Sequence, residues 1–140
     1  MLKRLLLLSA VALAGSPGTA HAATSGFFKT PSANIVCFWS SDGVDCTIKS
    51  GLKPPPKKRE CTDFGDFTTN RLFLGKTGKA RPVTCSGDVG PVAGEKQAKV
   101  LAYGQSKTFG RLKCTSTTKG LTCRNRTHGF FLSRASWRLL

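Results

Sequence analysis

The chain has 140 residues, with 22 Lys and Arg against 7 Asp and Glu, for a formal net charge of +15. That length allows one domain with a modest core. A field of that sign disfavours basic partners and favours polyanions such as nucleic acid, anionic lipid or acidic wall and surface polymers; the competing reading is a basic surface that only keeps the protein soluble.

Residues 1–22 read as a signal peptide rather than as fold. Lys3 and Arg4 open it, and an apolar run from Leu5 to Ala14 is broken only by Ser9. Gly15, Ser16, Pro17 and Gly18 follow, and Ala20-His21-Ala22 fits the small-x-small cleavage rule. The run is shorter than the roughly 20 residues a membrane-spanning helix needs, so no transmembrane segment is expected in the mature chain. Residues 23–140 then form a single exported β domain. Loss of Lys3 and Arg4 leaves 20 basic against 7 acidic residues, net +13.

All six cysteines follow the leader, as a disulfide framework in an oxidising compartment requires. Zinc is the alternative use. There is no Cys-x-x-Cys pair, and His128 is the only histidine after the leader, so neither a metal nor any other cofactor is expected.

In chain order, residues 30–51 alternate apolar and polar around Asp42-Gly43 and predict a β-hairpin. The stretch "LKPPPKKRE" (52–60) cannot be a central strand and reads as an extended, Pro-rich basic connector. Residues 61–87 predict one or two strands, a turn at Gly75-Lys76-Thr77-Gly78 and a return strand ending near Cys85. Residues 88–97 read as loop, and residues 129–140 as a final strand and tail. Helix-length apolar periodicity is missing. The fold class is therefore all-β: a small, disulfide-stapled antiparallel sheet or sandwich with two related β-hairpins.

Those hairpins share a phrase. "CFWSSDGVDC" (37–46) and "CTSTTKGLTC" (114–123) both place cysteines nine positions apart, with Gly six residues after the first. A four-residue loop ending in a left-handed Gly puts Cys37 opposite Cys46 and Cys114 opposite Cys123. Directly opposed cysteines can bridge. The register also gathers Ile35, Cys37, Trp39, Val44, Cys46 and Ile48 on one face, and a one-residue slip would scatter them. Of 15 possible pairings, this favours Cys37–Cys46 and Cys114–Cys123, with Cys61–Cys85 by elimination. The last closes the longest loop, worth about 3.5 kcal/mol in the chain-entropy account.

The copies differ on the face away from the cysteines. The second carries Arg111, Lys113, Arg124 and Arg126, with His128 if the strand continues; the first has Val36, Phe38, Asp45 and Thr47 at corresponding places. The register sets Lys113 against Arg124 and Arg111 against Arg126, an arrangement of like charges that costs stability. These five residues are the candidate polyanion-binding site.

The pieces "TPSANIVC", "VDCTI", "PPPKKREC", "VLAYGQS", "CTSTTKGLTC" and "HGFFLSR", in this order, resemble a bacterial family of small exported proteins, the domain of unknown function 6636 family, over residues 27–140. The resemblance implies export and a domain without assigned activity, and it carries over no catalytic residue.

Catalysis finds little support in the residues. His128 and Ser133, five apart on one strand, point to opposite faces, and Asp63 with Asp66 is the best carboxylate pair on offer. Phe130, Phe131, Trp137, Leu139 and Leu140, with Arg134 and Arg138, read as a tail packed on the core or a ligand surface. Asn125-Arg126-Thr127 is a glycosylation sequon with meaning only in a eukaryotic secretory path. The expectation is a monomeric, periplasmic or extracellular, non-catalytic module that binds an anionic polymer or envelope surface. A protein-binding or hydrolase-inhibitor module presenting "KPPPKKRE" is the alternative, with its protein partner unspecified. The intact mass of exported protein should begin at Ala23; a Met1 form persisting outside the cytoplasm would contradict the leader.

Overall fold

The computed structural model describes residues 11, 12, 14–62 and 64–140. Most of the leader, including Lys3 and Arg4, lies outside them, as does Asp63; residues 14–23 are exposed and form no regular element.

The first predicted hairpin is formed by β2 (Ile35–Ser40) and β3 (Gly43–Ile48). Its register pairs Ile35 with Ile48, Cys37 with Cys46 and Trp39 with Val44. The second is β10 (Leu112–Thr117) and β11 (Gly120–Arg124), with Cys114 opposite Cys123 and Lys113 opposite Arg124. The disulfides are Cys37–Cys46, Cys61–Cys85 and Cys114–Cys123. In both hairpin bridges the Cα atoms are close, 4.1 and 4.0 Å apart, as at the narrow, non-hydrogen-bonded positions of an antiparallel ladder.

The duplication reaches well beyond the hairpins. The first half adds β1 (Ser25–Lys29), β5 (Arg71–Gly75) and β6 (Arg81–Pro82), giving the strand order β6-β5-β3-β2-β1. The second adds β9 (Ser106–Phe109), β12 (Gly129–Leu132) and β13 (Trp137–Leu139), in the order β13-β12-β11-β10-β9. Each half is thus the same five-stranded antiparallel arrangement around a stapled hairpin. The first sheet gains a sixth strand, β8 (Lys99–Val100), parallel to β1. A separate pair, β4 (Asp66–Phe67) with β7 (Cys85–Ser86), carries one end of the Cys61–Cys85 bridge.

The two sheets bury their cysteine-bearing faces in one core. Cys37, Val44, Cys46, Ile48, Leu72 and Leu74 from the first join Leu112, Cys114, Leu121, Cys123, Phe130 and Leu132 from the second, each at most 1% exposed. Asn125, itself buried, ties the halves together. Its Nδ2 donates to the carbonyls of Gly75 and Gly78 at 3.0 and 2.8 Å, while its Oδ1 accepts from the backbone of Thr127 and His128. The sequon nitrogen is therefore committed inside the fold. On one flank the Pro-rich connector is pinned by the Trp137 indole, which donates to the Pro54 carbonyl at 2.7 Å.

Three expectations need correction. The hairpin loops have two unpaired residues, not four, because Ser40 pairs with Gly43 and Thr117 with Gly120. Gly43 does not take a left-handed conformation, and Gly120 sits at φ +155°. These glycines are required for space. A Cβ at Gly43 would stand 2.6 Å from the Leu74 carbonyl and 2.8 Å from the Phe73 ring; one at Gly120 would meet Leu132 and Phe131 at the same distances. Residues 88–97 contain a 3-10 helix, Gly90–Gln97, rather than only loop. Eight residues is long for that form, and packing on β1, β2 and β3 sustains it. Residues 129–140 make two strands, not one, with Phe131 opposite Arg138.

The 3-10 helix covers the outer face of the first sheet. Gly94 lies so close to the Phe27 ring that no side chain fits there. Lys29 donates to the Glu95 carbonyl, and Lys49 pairs with the Glu95 carboxylate at 2.5 Å. At the other end Arg71, 7% exposed, binds both Asp45 oxygens, the Ser86 hydroxyl at 2.8 Å and Asp88 at 2.6 Å. Gly90, at φ +67°, leaves room for that guanidinium. Burial alone would lower the Arg71 pKa, but Asp45 and Asp88 outweigh it and raise it. The Ser86 hydroxyl and then Arg71 hold the Asp88 carboxyl below its ordinary value, and Lys49 does the same for Glu95.

Two outcomes follow from these contacts. Gly120→Ala should lower stability by about 1–3 kcal/mol, since the Leu132 carbonyl and Phe131 ring must yield, whereas Thr118→Ala in the same loop should stay within about 0.5 kcal/mol. Equal melting curves for the two variants would remove the close-approach account. Because the folded pKa of Asp88 lies below its unfolded value, its contribution is present above about pH 4 and lost as pH falls through the folded pKa. Asp88→Asn should therefore be less stable than wild type at neutral pH, with the gap closing on acidification. The carboxylate is 73% exposed, so solvent screening keeps the effect small.

Candidate functional site: the open face of the second sheet

The same alternation that turns Cys114, Ser116, Leu121 and Cys123 inward turns Lys113, Thr115, Thr122 and Arg124 outward. One row across the outer face runs Ser106, Thr115, Thr122, Phe131, Arg138, each directly opposite the next. The adjacent row runs Thr108, Lys113, Arg124, Gly129. Strands lie about 4.8 Å apart, so these groups form a flat lattice of hydroxyls, cations and one aromatic ring on a rigid sheet.

The matching row of the first sheet is Phe27, Phe38, Asp45, Phe73, Arg81. There Phe27 and Phe38 pack with ring centroids 5.2 Å apart beneath the 3-10 helix. The second sheet replaces those phenylalanines by Ser106 and Thr115, and Val36 by Lys113. Both copies keep an Arg stacked on an aromatic ring: Arg81 is 5.2 Å from the Phe73 centroid, and Arg138 is 4.3 Å from that of Phe131. The second face has no such cover, and polar residues stand at the places that apolar ones occupy in the first.

Of the five predicted site residues, Lys113 and Arg124 stand exposed and directly opposed on this face. Arg111 and Arg126 are also exposed, but they do not face each other across the ladder. Arg111 lies in the tight turn between β9 and β10, and Arg126 in the turn after β11. Asn125 causes the difference: its side chain caps that turn, so the ladder stops at Lys113–Arg124. His128 is half-buried in the same turn, with Nδ1 2.8 Å from the Thr127 hydroxyl. Arg111, Arg126 and His128 thus border one end of the face. Phe131 and Arg138, which the sequence assigns to a core-packed tail or a ligand surface, join this face because β12 and β13 pair as a hairpin that the sequence does not predict. Its available signal was the alternation of Phe130 inward and Phe131 outward after a Gly.

The lattice has no acidic partner. No Asp or Glu occurs on these five strands, and none occurs after Glu95, while ten Lys or Arg follow it. Anions can therefore approach without competition from an internal carboxylate. Ser133 and His128 are not brought together: the Ser133 hydroxyl donates to the Ser136 carbonyl and accepts from its N–H, at the far end of β12 from His128. Asp63 lies outside the described residues, so its pairing with Asp66 is not described. Among the described residues no three of His, Cys, Asp or Glu converge as metal ligands, and no helix is long and apolar enough to cross a membrane.

No curated protein and no solved structure matches the chain. A family described as a family of unknown function, DUF6636, matches residues 6–140. The all-β, three-disulfide domain with its doubled stapled hairpin therefore belongs to the DUF6636 family.

Proposed function

We propose that this protein is a non-catalytic binding module that holds anionic envelope or extracellular polymers on the open face of its second sheet. The observation that carries the reading is the contrast between the two copies: one outer face holds phenylalanines and an acid-paired Arg71 under the 3-10 helix, the other is cationic, hydroxyl-bearing, uncovered and without acid on its strands. An opposed Lys113–Arg124 pair costs about 0.2–1 kcal/mol when nothing lies between the charges. A bridging anion turns that repulsion into two charge-assisted hydrogen bonds. The three disulfides are consistent with an exported protein, and a periplasmic or extracellular place would give the face its polymeric anions.

A protein-binding or inhibitory role for the connector is the second reading. It is favoured by the anchoring of that exposed basic segment at Leu52, at the Pro54 carbonyl and at Cys61, since a preorganised loop binds at lower entropic cost.

Two charge-matched variants separate the readings. One replaces Arg111, Lys113, Arg124 and Arg126 by Gln; the other replaces Lys57, Lys58, Arg59 and Lys76. With dextran sulfate as probe, the first should lose at least about tenfold in affinity, with an unchanged or higher Tm, and the second much less. Binding should weaken as salt shortens the screening length towards about 8 Å. Equal losses in both variants would leave only net charge and remove the face as a site.

A further inference from the structure

The two sheets do not close along the flank where β1 and β8 face β9. A cavity of about 800 Å³, walled in part by Ala22 at the end of the leader and by Ala23, Thr24 and Ser25, opens there into the side of the core, within the range of small-molecule sites. Phe28, Leu101 and Phe109 lie at its base, and Trp39 packs beside Phe109 with ring centroids 5.3 Å apart. The opposite flank is held by the Trp137–Pro54 contact.

Two lysines line this mouth in positions that parity assigns to the core. Lys99 on β8 stands beside Phe28 on β1, and Lys107 on β9 stands opposite Cys114. In the first copy the residue opposite the leading cysteine is Phe28, 2% exposed; the second copy writes Lys107 there. Its Nζ lies over the Trp39 ring, 4.4 Å from the centroid. Among the described residues no Asp or Glu lines the cavity; Lys107 is half-buried there and Lys99 is exposed at its rim.

An inward-pointing lysine on an edge strand also discourages sheets from joining edge to edge. That role accounts for Lys107 on the edge of the second sheet and equally for Lys99 on β8, the edge of the first. It gives no reason for an open aromatic cavity between them.

We infer that this lateral cavity binds a small amphipathic anion, with its apolar body on Phe28, Leu101, Trp39 and Phe109 and its carboxylate, sulfonate or phosphate on Lys107 and Lys99. The site is separate from the open face, because its lysines occupy core-side positions while Lys113 and Arg124 point outward. It does not rest on the polymer-binding proposal.

The test uses 1-anilinonaphthalene-8-sulfonate and its uncharged relative N-phenyl-1-naphthylamine, which has the same rings without the sulfonate. The background is Trp137→Phe, which leaves Trp39 as the sole indole. The sulfonate dye should quench Trp39 saturably with one dye per chain. Lys107→Gln should weaken it about tenfold, and Lys99→Gln combined with it further, while the uncharged dye is held equally by all three proteins. Lys113→Gln with Arg124→Gln should leave both dyes unaffected. Absence of saturable Trp39 quenching would overturn the inference. So would equal sulfonate-dye affinity after Lys107→Gln, or an equal loss on changing Lys113 and Arg124, which would put the dye on the open face.

Discussion

The cross-strand disulfide is the constraint on which the rest of this structure depends. A bridge between directly opposed residues fixes both the register and the parity of a hairpin, and parity decides which side chains face the core. With Cys114 and Cys123 inward, Leu112, Ser116 and Leu121 must follow them, and Lys113, Thr115, Thr122 and Arg124 must face out. The same rule in the first copy sends Val36, Phe38, Asp45 and Thr47 to the outer side. Slippage by one residue would bury Lys113 and Arg124, unpaired, at a cost that a marginally stable domain does not survive.

Given that constraint, the two halves have diverged mainly on their outer faces. The inner faces share aliphatic residues, phenylalanine and a bridge, and differ at a few places such as Phe28 against Lys107 and Trp39 against Ser116. In the first half the outer apolar residues needed cover, and the 3-10 helix supplies it, held by the Arg71 cluster at one end and by Glu95 at the other. A buried guanidinium is tolerable there because Asp45, Asp88 and Ser86 occupy its donors. The second half has no such cover and instead carries groups that water can solvate. An uncovered sheet with one wet face is normal for antiparallel strands. Its cations have no acid beside them on the five strands.

What was legible in the sequence is what parity and cysteine spacing encode. The registers of both hairpins, the opposition of Lys113 and Arg124, and the inward place of Trp39 and Leu121 all follow from a period of two. What escaped were features decided by distant neighbours. Gly43 and Gly120 look like turn glycines, yet the strands β5 and β12, with the rings of Phe73 and Phe131, require them. Strands of two residues such as β6 and β8 carry no periodicity to read. The segment 88–97, with its Gly and Pro, has a loop composition and becomes helical only against the first sheet. Asn125 seemed the next rung of a ladder; its side chain instead closes a turn and spans to Gly75 and Gly78, which moves Arg126 off the strand.

Parity also distinguishes the two proposed binding regions on one strand. On β9, Thr108 stands in the outer lattice and Lys107 beside it on the core side, while both border the cavity where the edge of the sheet meets it. The cations of the two regions, Lys107 and Lys99 against Lys113 and Arg124, are different residues. The covered first sheet allows no equivalent, because its outer row is occupied by its own chain. The second sheet is stapled by its own bridge and closed on the core side by the first. Substitutions on its outer face cost little stability, since surface changes away from packed features usually stay within about 0.5 kcal/mol. A covered face would have exacted the loss of Phe27 and Phe38 packing for the same change. Cations therefore stand at least cost on the copy whose outer face carries no helix.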